Sequence, residues 1–254
     1  MKITYLISTM NSKVLGSPLI KQVVNNSYVV IDQNPLASIE KSDEKIIQSA
    51  ELGLSKSRNL ALKNANSDVV YILDDDVELV EDFNQIIKDE FDKHPNADFV
   101  IFEHFNDSKV KKSWLRRIPF IPMKIKLMSV CSIEISGRIG FINQNKLTFN
   151  ERFGLGSGVP IGEEFLFLSD AYEMGAKIVF ASAAIVKHFG SSSGYKYKTP
   201  QDVINRGAVI AEGFTFGRSL VCLIFTLKSY RLYKENFNFY SFFSLLLKGM
   251  DNRE

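Results

Sequence analysis

The sequence predicts an α/β protein, a doubly wound, mostly parallel sheet flanked by helices. Three observations predict it. Over the first 105 of the 254 residues, short apolar runs alternate with segments of helical length. The strongest run, VVYIL (69–73), is apolar throughout, as a strand covered on both faces must be. Two runs end directly in carboxylates, Asp32 and Asp74-Asp75-Asp76, and open α/β sheets bind ligands beyond the carboxyl ends of their strands.

KITYLIS (2–8) is the opening buried strand, and residues 15–24 supply a short helix. SYVVID (27–32) is the second strand and KIIQS (45–49) a weaker third. In GLSKSRNLALKNANSD, Ser55 is the expected N-cap; Leu60, Ala61 and Ala65 mark the buried face, and NANSD ends the helix. Beyond VVYIL, Phe83, Ile86, Ile87 and Phe91 recur at helical spacing within 80–91. HPNA turns the chain, and DFVIFE (98–103) is the next strand. The alternation then loosens. SVCSIEIS (129–136) reads as a strand, and RFGLGSGVPIGEE as a glycine-rich shaped loop. Residues 165–174 read as a helix stopped by Gly175, and KIVFAS (177–182) as a strand. From about Pro200 the tail is helical and rich in aromatics.

Composition narrows the function. A hydrophobic content of 45% supports one sizeable core. A net charge of +2 is too mild for a nucleic-acid binder. Two distant cysteines, Cys131 and Cys222, argue against a disulfide framework and a zinc site, and fit a reducing cytoplasm. The N-terminus MKITYLIST lacks the apolar core of a signal peptide, and no apolar run reaches the roughly 20 residues that span a bilayer.

The aspartate triplet raises the main chemical question. A single helix cap needs one carboxylate and leaves two unexplained. A hard divalent cation, magnesium or manganese, prefers oxygen ligands and removes the repulsion between neighbouring carboxylates. An EF-hand fails here: counting from Asp74, position six is Leu79 and position twelve Gln85, where Gly and Glu are needed. A phosphatase with an aspartyl nucleophile is weakened because Glu78 stands where a small hydroxyl residue or Val is needed. Glu163 and Glu164 open a helix after the glycine-rich loop. They are either a solvated first turn or a general base beside a close-approach backbone. Of three histidines, His188 is the best placed as a metal or phosphate ligand. Arg58 and Asn59 begin a helix, where anions are favoured.

These stretches resemble family 2 glycosyltransferases of the GT-A fold. GLSKSRNLALKNANSDVVYILDDDVEL is similar to that family's helix with an Arg/Asn pair followed by a strand ending in a DxD motif. NERFGLGSGVPIGEEFLFLSDAYEMGAKIVFASAAIVKH is similar to its acceptor half, and the likeness covers roughly residues 3–190. It implies an inverting, metal-dependent enzyme of glycan biosynthesis. The sugar would move from a nucleotide-sugar donor, UDP by expectation, to a hydroxyl of a glycan or lipid-linked acceptor. Carried over, Asp32 contacts the base or ribose, and Arg58 and Asn59 meet the donor. Asp74 and Asp76 form the DxD, with Asp76 nearest the Mn2+ or Mg2+. Asp75 contacts the ribose or supports the pair, and His188 helps hold the metal or diphosphate. Glu164 is the base, with Glu163 the alternative because the pair is Glu-Glu and not the family's Glu-Asp. Gly162 and Trp114 are the acceptor-side candidates. The division is a donor-binding half (1–105), an acceptor-binding half (106–190) and a helical tail (191–254).

Residues 109–128 mix Lys109, Lys111, Arg116, Arg117, Lys124 and Lys126 with Trp114, Ile118 and Phe120. Residues 214–250 mix aromatics with Lys228, Arg231, Lys234 and Lys248. The first is either a solvated loop or a surface for an anionic membrane, and the second either packed helices, the commoner case, or an amphipathic anchor; the expectation is a cytoplasmic protein, peripheral on the inner face of the membrane where either segment binds it. Two rival classes are a nucleotidyltransferase, for which STMNSKVLGSP is a poor glycine-rich loop, and a non-catalytic binding protein of the same fold.

Overall fold

The computed structural model describes residues 1–33, 45–106, 109–111, 113–188 and 197–251. Strands β1 (Ile3–Met10), β2 (Ser27–Gln33) and β3 (Ile46–Ser49) run parallel in the order β3-β2-β1. β4 (Val69–Asp74) joins β1 on its other side, also parallel. The strand order therefore reverses between β1 and β4. The crossover helices α1 (Pro18–Val23) and α2 (Leu54–Lys63) pack into the cores on opposite faces of the sheet. Such a switch point opens a crevice at the carboxyl ends of its two strands.

The sheet continues through β8 (Ile135–Arg138), antiparallel to both β4 and β6 (Phe99–Asn106). β9 (Ile178–His188) runs parallel to β6, and β5 (Val77–Leu79) closes the edge antiparallel to β9. β7 (Lys109–Lys111) folds back on β6. Because Val77 pairs with His188, the aspartates joining β4 to β5 are drawn to the end of β9.

The unbroken apolarity of VVYIL has a direct cause, since both faces of β4 are covered. Val70 and Ile72 face one core with Leu6, Ile31, α2, α7 (Glu163–Glu173) and α8 (Pro200–Gly213). Val69, Tyr71 and Leu73 face the other with Tyr5, Ile7, α1 and α3 (Phe83–Lys93). The tail belongs to the first core. Phe242 and Leu246 of α10 (Phe239–Asp251) are fully buried, and Tyr233 of α9 (Arg218–Tyr233) stacks on Phe242 with ring centroids 3.7 Å apart. At the crossing of α8 and α10 the backbones touch. A Cβ on Gly207 would lie 2.1 Å from the Leu246 carbonyl oxygen, and one on Gly249 would lie 2.0 Å from that of Ile204.

The local structure departs from the sequence reading at five places. Gly53, not Ser55, is the N-cap of α2; the Ser55 hydroxyl instead donates 2.6 Å to the Phe153 carbonyl. SVCSIEIS is only half strand. Glu134 accepts the Cys131 N–H at 2.8 Å, which winds 132–134 into a turn, and pairing begins at Ile135. Helix α6 (Ile139–Gln144) follows where no helix is expected. KIVFAS and AIVKH form one strand, β9, which tolerates register shifts against β6. The basic stretch breaks into β7 and two short helices, α4 (Trp114–Arg117) and α5 (Met123–Leu127).

Candidate active site

A cavity of roughly 530 Å³ opens where the switch point requires it, over the ends of β1 and β4. Ser8 and Thr9 form its floor, and all three aspartates line it. Each aspartate has its own environment. Asp74 accepts from Arg58 Nη2 at 3.0 Å and from the Ser132 hydroxyl at 3.2 Å. Asp75 accepts from the Thr9 hydroxyl at 2.6 Å. Asp76 Oδ2 faces His188 Nε2 at 3.7 Å, too long for a hydrogen bond. Partial burial, and then the charge of Asp74, push the Asp76 carboxyl above the ordinary carboxylate range, while His188 pulls it down.

Opposite lies the start of α7. Gly162 is the N-cap in the left-handed region (φ 87°), where a Cβ would also strike Val209 at 2.6 Å. That conformation turns both following carboxylates inward. Glu163 is buried and accepts from Arg58 Nη1 at 2.9 Å. Arg58, itself 2% exposed, thus joins the aspartate strand to α7 through one guanidinium. Burial lowers its pKa, but the charges of Asp74, Glu163 and Glu164 outweigh that and raise it. Glu164 is half-buried, and its Oε2 is enclosed without a hydrogen-bond partner. Burial, then the charge of Glu163, push its carboxyl up to about 8, against the pull of Arg58. A carboxylic acid with that value titrates near neutral pH, as a general base requires.

The other expected residues are placed differently. Asp32 is buried and does not line the cavity; its carboxylate accepts from Ser12 N–H at 3.0 Å and Ser12 Oγ at 2.8 Å. It therefore fixes the loop after β1, whose Asn11 and Ser12 both have positive φ. Asn59 points away from the cavity. Its amide donates to the Phe149 carbonyl and to Glu151 Oε1, and its Oδ1 accepts the Phe149 N–H at 2.7 Å. Trp114 is 62% exposed and outside the cavity wall, whereas Gly162 lines it. The wall also holds residues that the sequence did not single out: Lys13, His104, Cys131, Ser132 and Arg206. No local signal marks them, because β6, the 132–134 turn and α8 meet β4 only through the tertiary fold.

Two donor sets suit a metal differently. Asp76 and His188, with Asp74 nearby, offer oxygen and imidazole ligands to a divalent cation. His104, Cys131 and Glu134 also bring ligand atoms together within 4.8 Å. Glu134 is already engaged by Arg116 at 2.5 Å, so a cation there meets a guanidinium. The aspartate set suits a divalent cation by ligand type, whereas the second, although among the described residues it is the group that gathers three ligand atoms within 4.8 Å, does not.

The model of the glycosyl transferase family 2 matches residues 30–161, more than half of the chain. The chain belongs to glycosyl transferase family 2. Among curated proteins, none matches it. Among solved structures, the fold of this family 2 member is similar to that of S. aureus TarS 1–349. With UDP-GlcNAc bound, the TM-score is 0.61 at 17% identity, covering 92% of this chain and 73% of that one. With UDP bound, the TM-score is 0.59 at 17% identity, covering 92% and 72%. Against the longer S. aureus TarS structure it is 0.57 at 16% identity, covering 92% and 44%. These likenesses establish the GT-A fold, with the C-terminal helices present.

Proposed function

We propose that this family 2 glycosyltransferase moves a sugar, with inversion, from a UDP-linked donor to a hydroxyl of a glycan or lipid-linked acceptor. The observation that carries the reading is Glu164. It is a carboxyl with an unpartnered enclosed oxygen and a pKa near neutrality, in the same cavity as the aspartate triplet. UDP as carrier is supported by the UDP and UDP-GlcNAc named in the TarS structures of like fold.

In this reading Glu164 takes the proton of the acceptor hydroxyl. The oxygen attacks the anomeric carbon from the side opposite the diphosphate, the sugar–phosphate C–O bond breaks, and the nucleoside diphosphate leaves with the electron pair. Lys13 and Arg206 line the cavity and face the charge that develops on it. Asp74, Asp76 and His188 would hold Mn2+ or Mg2+, which, when bound, shares that charge. Glu163 keeps Arg58 in place and leaves the base role to Glu164. Asp32 acts through the Ser12 loop. Asp76→Ala is expected to lower donor turnover by about 100-fold or more, roughly 2.7 kcal/mol of barrier. It should also abolish the extra thermal stabilisation that manganese adds to UDP. Full turnover of the variant with manganese present would sink the assignment.

A lipid-linked acceptor is supported by the surface. Among the described residues no helix is long and apolar enough to cross a membrane. On α9, however, Leu220, Ile224 and Leu227 are exposed along one stripe beside Lys228, Arg231 and Lys234. Phe216 and Phe120 are almost fully exposed, and Lys124 of α5 donates to the Gly213 carbonyl, which brings the two segments together. Such a face suits an anionic bilayer surface. Leu220→Glu with Leu227→Glu is expected to abolish flotation with vesicles containing anionic lipid without changing the fold. Equal flotation of variant and wild type would rule out this face.

A further inference from the structure

One buried ionic network opens onto the cavity and has no part in the chemistry above. His104, on β6, is 4% exposed and lines the cavity. Its Nδ1 lies 2.9 Å from Glu134 Oε1. The other oxygen of Glu134 accepts from Arg116 Nη2 at 2.5 Å and from the Cys131 N–H at 2.8 Å. Arg116 is held in turn by the carbonyls of Phe102 at 3.2 Å and Ser129 at 2.7 Å. Glu134 is 1% and Arg116 8% exposed.

Such a network is costly to bury, and apolar residues of the same volume often hold a fold as well or better. Its orientation suggests a use. Burial alone raises the Glu134 carboxyl, but the hydrogen bond with His104 and the Arg116 guanidinium outweigh it and hold the group below the ordinary carboxylate range. An ionised Glu134 accepts only, so Nδ1 of His104 must donate to it. In the uncharged form of the ring, that tautomer leaves the lone pair on Nε2. An acceptor in the cavity wall repels phosphate oxygens and suits a hydroxyl. Ser132, two residues before Glu134, hydrogen-bonds Asp74, so this wall adjoins the aspartates of the donor site.

We propose that His104 is a sugar-binding residue whose Nε2 accepts a hydrogen bond from a hydroxyl of the transferred sugar, with Glu134 and Arg116 as positioning residues that fix its tautomer and ring. This rests on the donor reading above. The test compares UDP with UDP-GlcNAc, UDP-glucose and UDP-galactose by titration calorimetry with manganese. His104→Asn keeps an amide where Nδ1 meets Glu134 and removes Nε2; His104→Gln restores a polar atom near Nε2. His104→Asn is expected to bind UDP within twofold of wild type but the best UDP-sugar about 5- to 10-fold more weakly, as the loss of one neutral hydrogen bond dictates. His104→Gln should recover part of the loss. Equal weakening for UDP and UDP-sugar, or none, overturns the proposal. Should the variants fold poorly, 15N-histidine NMR of the wild-type protein decides: the His104 Nε2 signal should move with UDP-sugar and not with UDP, and an unmoved signal overturns the proposal. Wild-type protein that binds neither UDP nor any of these sugars overturns the donor reading and this proposal together. Binding that ignores His104 overturns this proposal alone.

Discussion

Arg58→Met is expected to lower the melting temperature by roughly 6–20 °C and to abolish transfer. Arg58 is 2% exposed and bonds Asp74 at 3.0 Å and Glu163 at 2.9 Å. Methionine keeps much of the volume, so the loss is electrostatic. Without the guanidinium, Glu163 is a buried carboxylate facing Glu164 with no countercharge. Breaking a buried pair in this way costs about 3–5 kcal/mol, against about 2–4 °C per kcal/mol for a chain of this size. Adding Glu163→Gln removes the stranded charge. The double variant should therefore regain part of the lost stability, and thermal unfolding of both variants measures this. A fall of less than about 3 °C for Arg58→Met would show that the carboxylates are compensated elsewhere. Activity should not return in the double variant, because Arg58 also holds Asp74 at the donor side. That split between restored stability and absent turnover distinguishes a site residue from a structural one.

How far this site was legible in the sequence follows from the range of each signal. The central strands are local signals, since VVYIL needs only its own apolarity to show that both faces are covered. The aspartate triplet and the Glu163-Glu164 pair are local as well; the switch point explains why a strand end delivers the triplet to the crevice, and the start of α7 sets the pair opposite it. What the sequence did not show depends on register. The β8 strand runs antiparallel between β4 and β6 and starts late because Glu134 captures the Cys131 N–H. The apolar run DFVIFE ends at Glu103, but β6 runs on to Asn106 and carries His104 within it. The His104–Glu134–Arg116 network joins residues up to 30 positions apart that only the β6–β8 pairing brings together. Asn59 shows the reverse error. Beside Arg58 it looked like a ligand residue, yet one residue of helix turns its amide about 100° away, onto the 149–151 loop.

Glu164→Gln is expected to lower kcat by about 10²–10⁴ while leaving UDP affinity within twofold, since a general base contributes in that range. The amide is close in shape to the protonated acid, which the high pKa makes the prevailing form at neutral pH. The wild-type rate should therefore rise with pH through a limb near 8 and level off above it, and that limb should be absent from the residual rate of the variant. Stability should move the opposite way. The folded carboxyl is raised from its ordinary 4.5 to about 8, so the folded state binds the proton more tightly than the unfolded state does. The penalty is absent below about pH 4.5, grows as pH rises from there, and is complete by about pH 8. Glu164→Gln has no proton to lose, so the variant should gain stability over wild type across this window and hold the gain above it. Paired thermal unfolding and initial-rate profiles from pH 4.5 to 9 test both trends on the same samples. If Glu163 were the base, Glu164→Gln would keep the alkaline rise in rate, and Glu163→Gln would lose it.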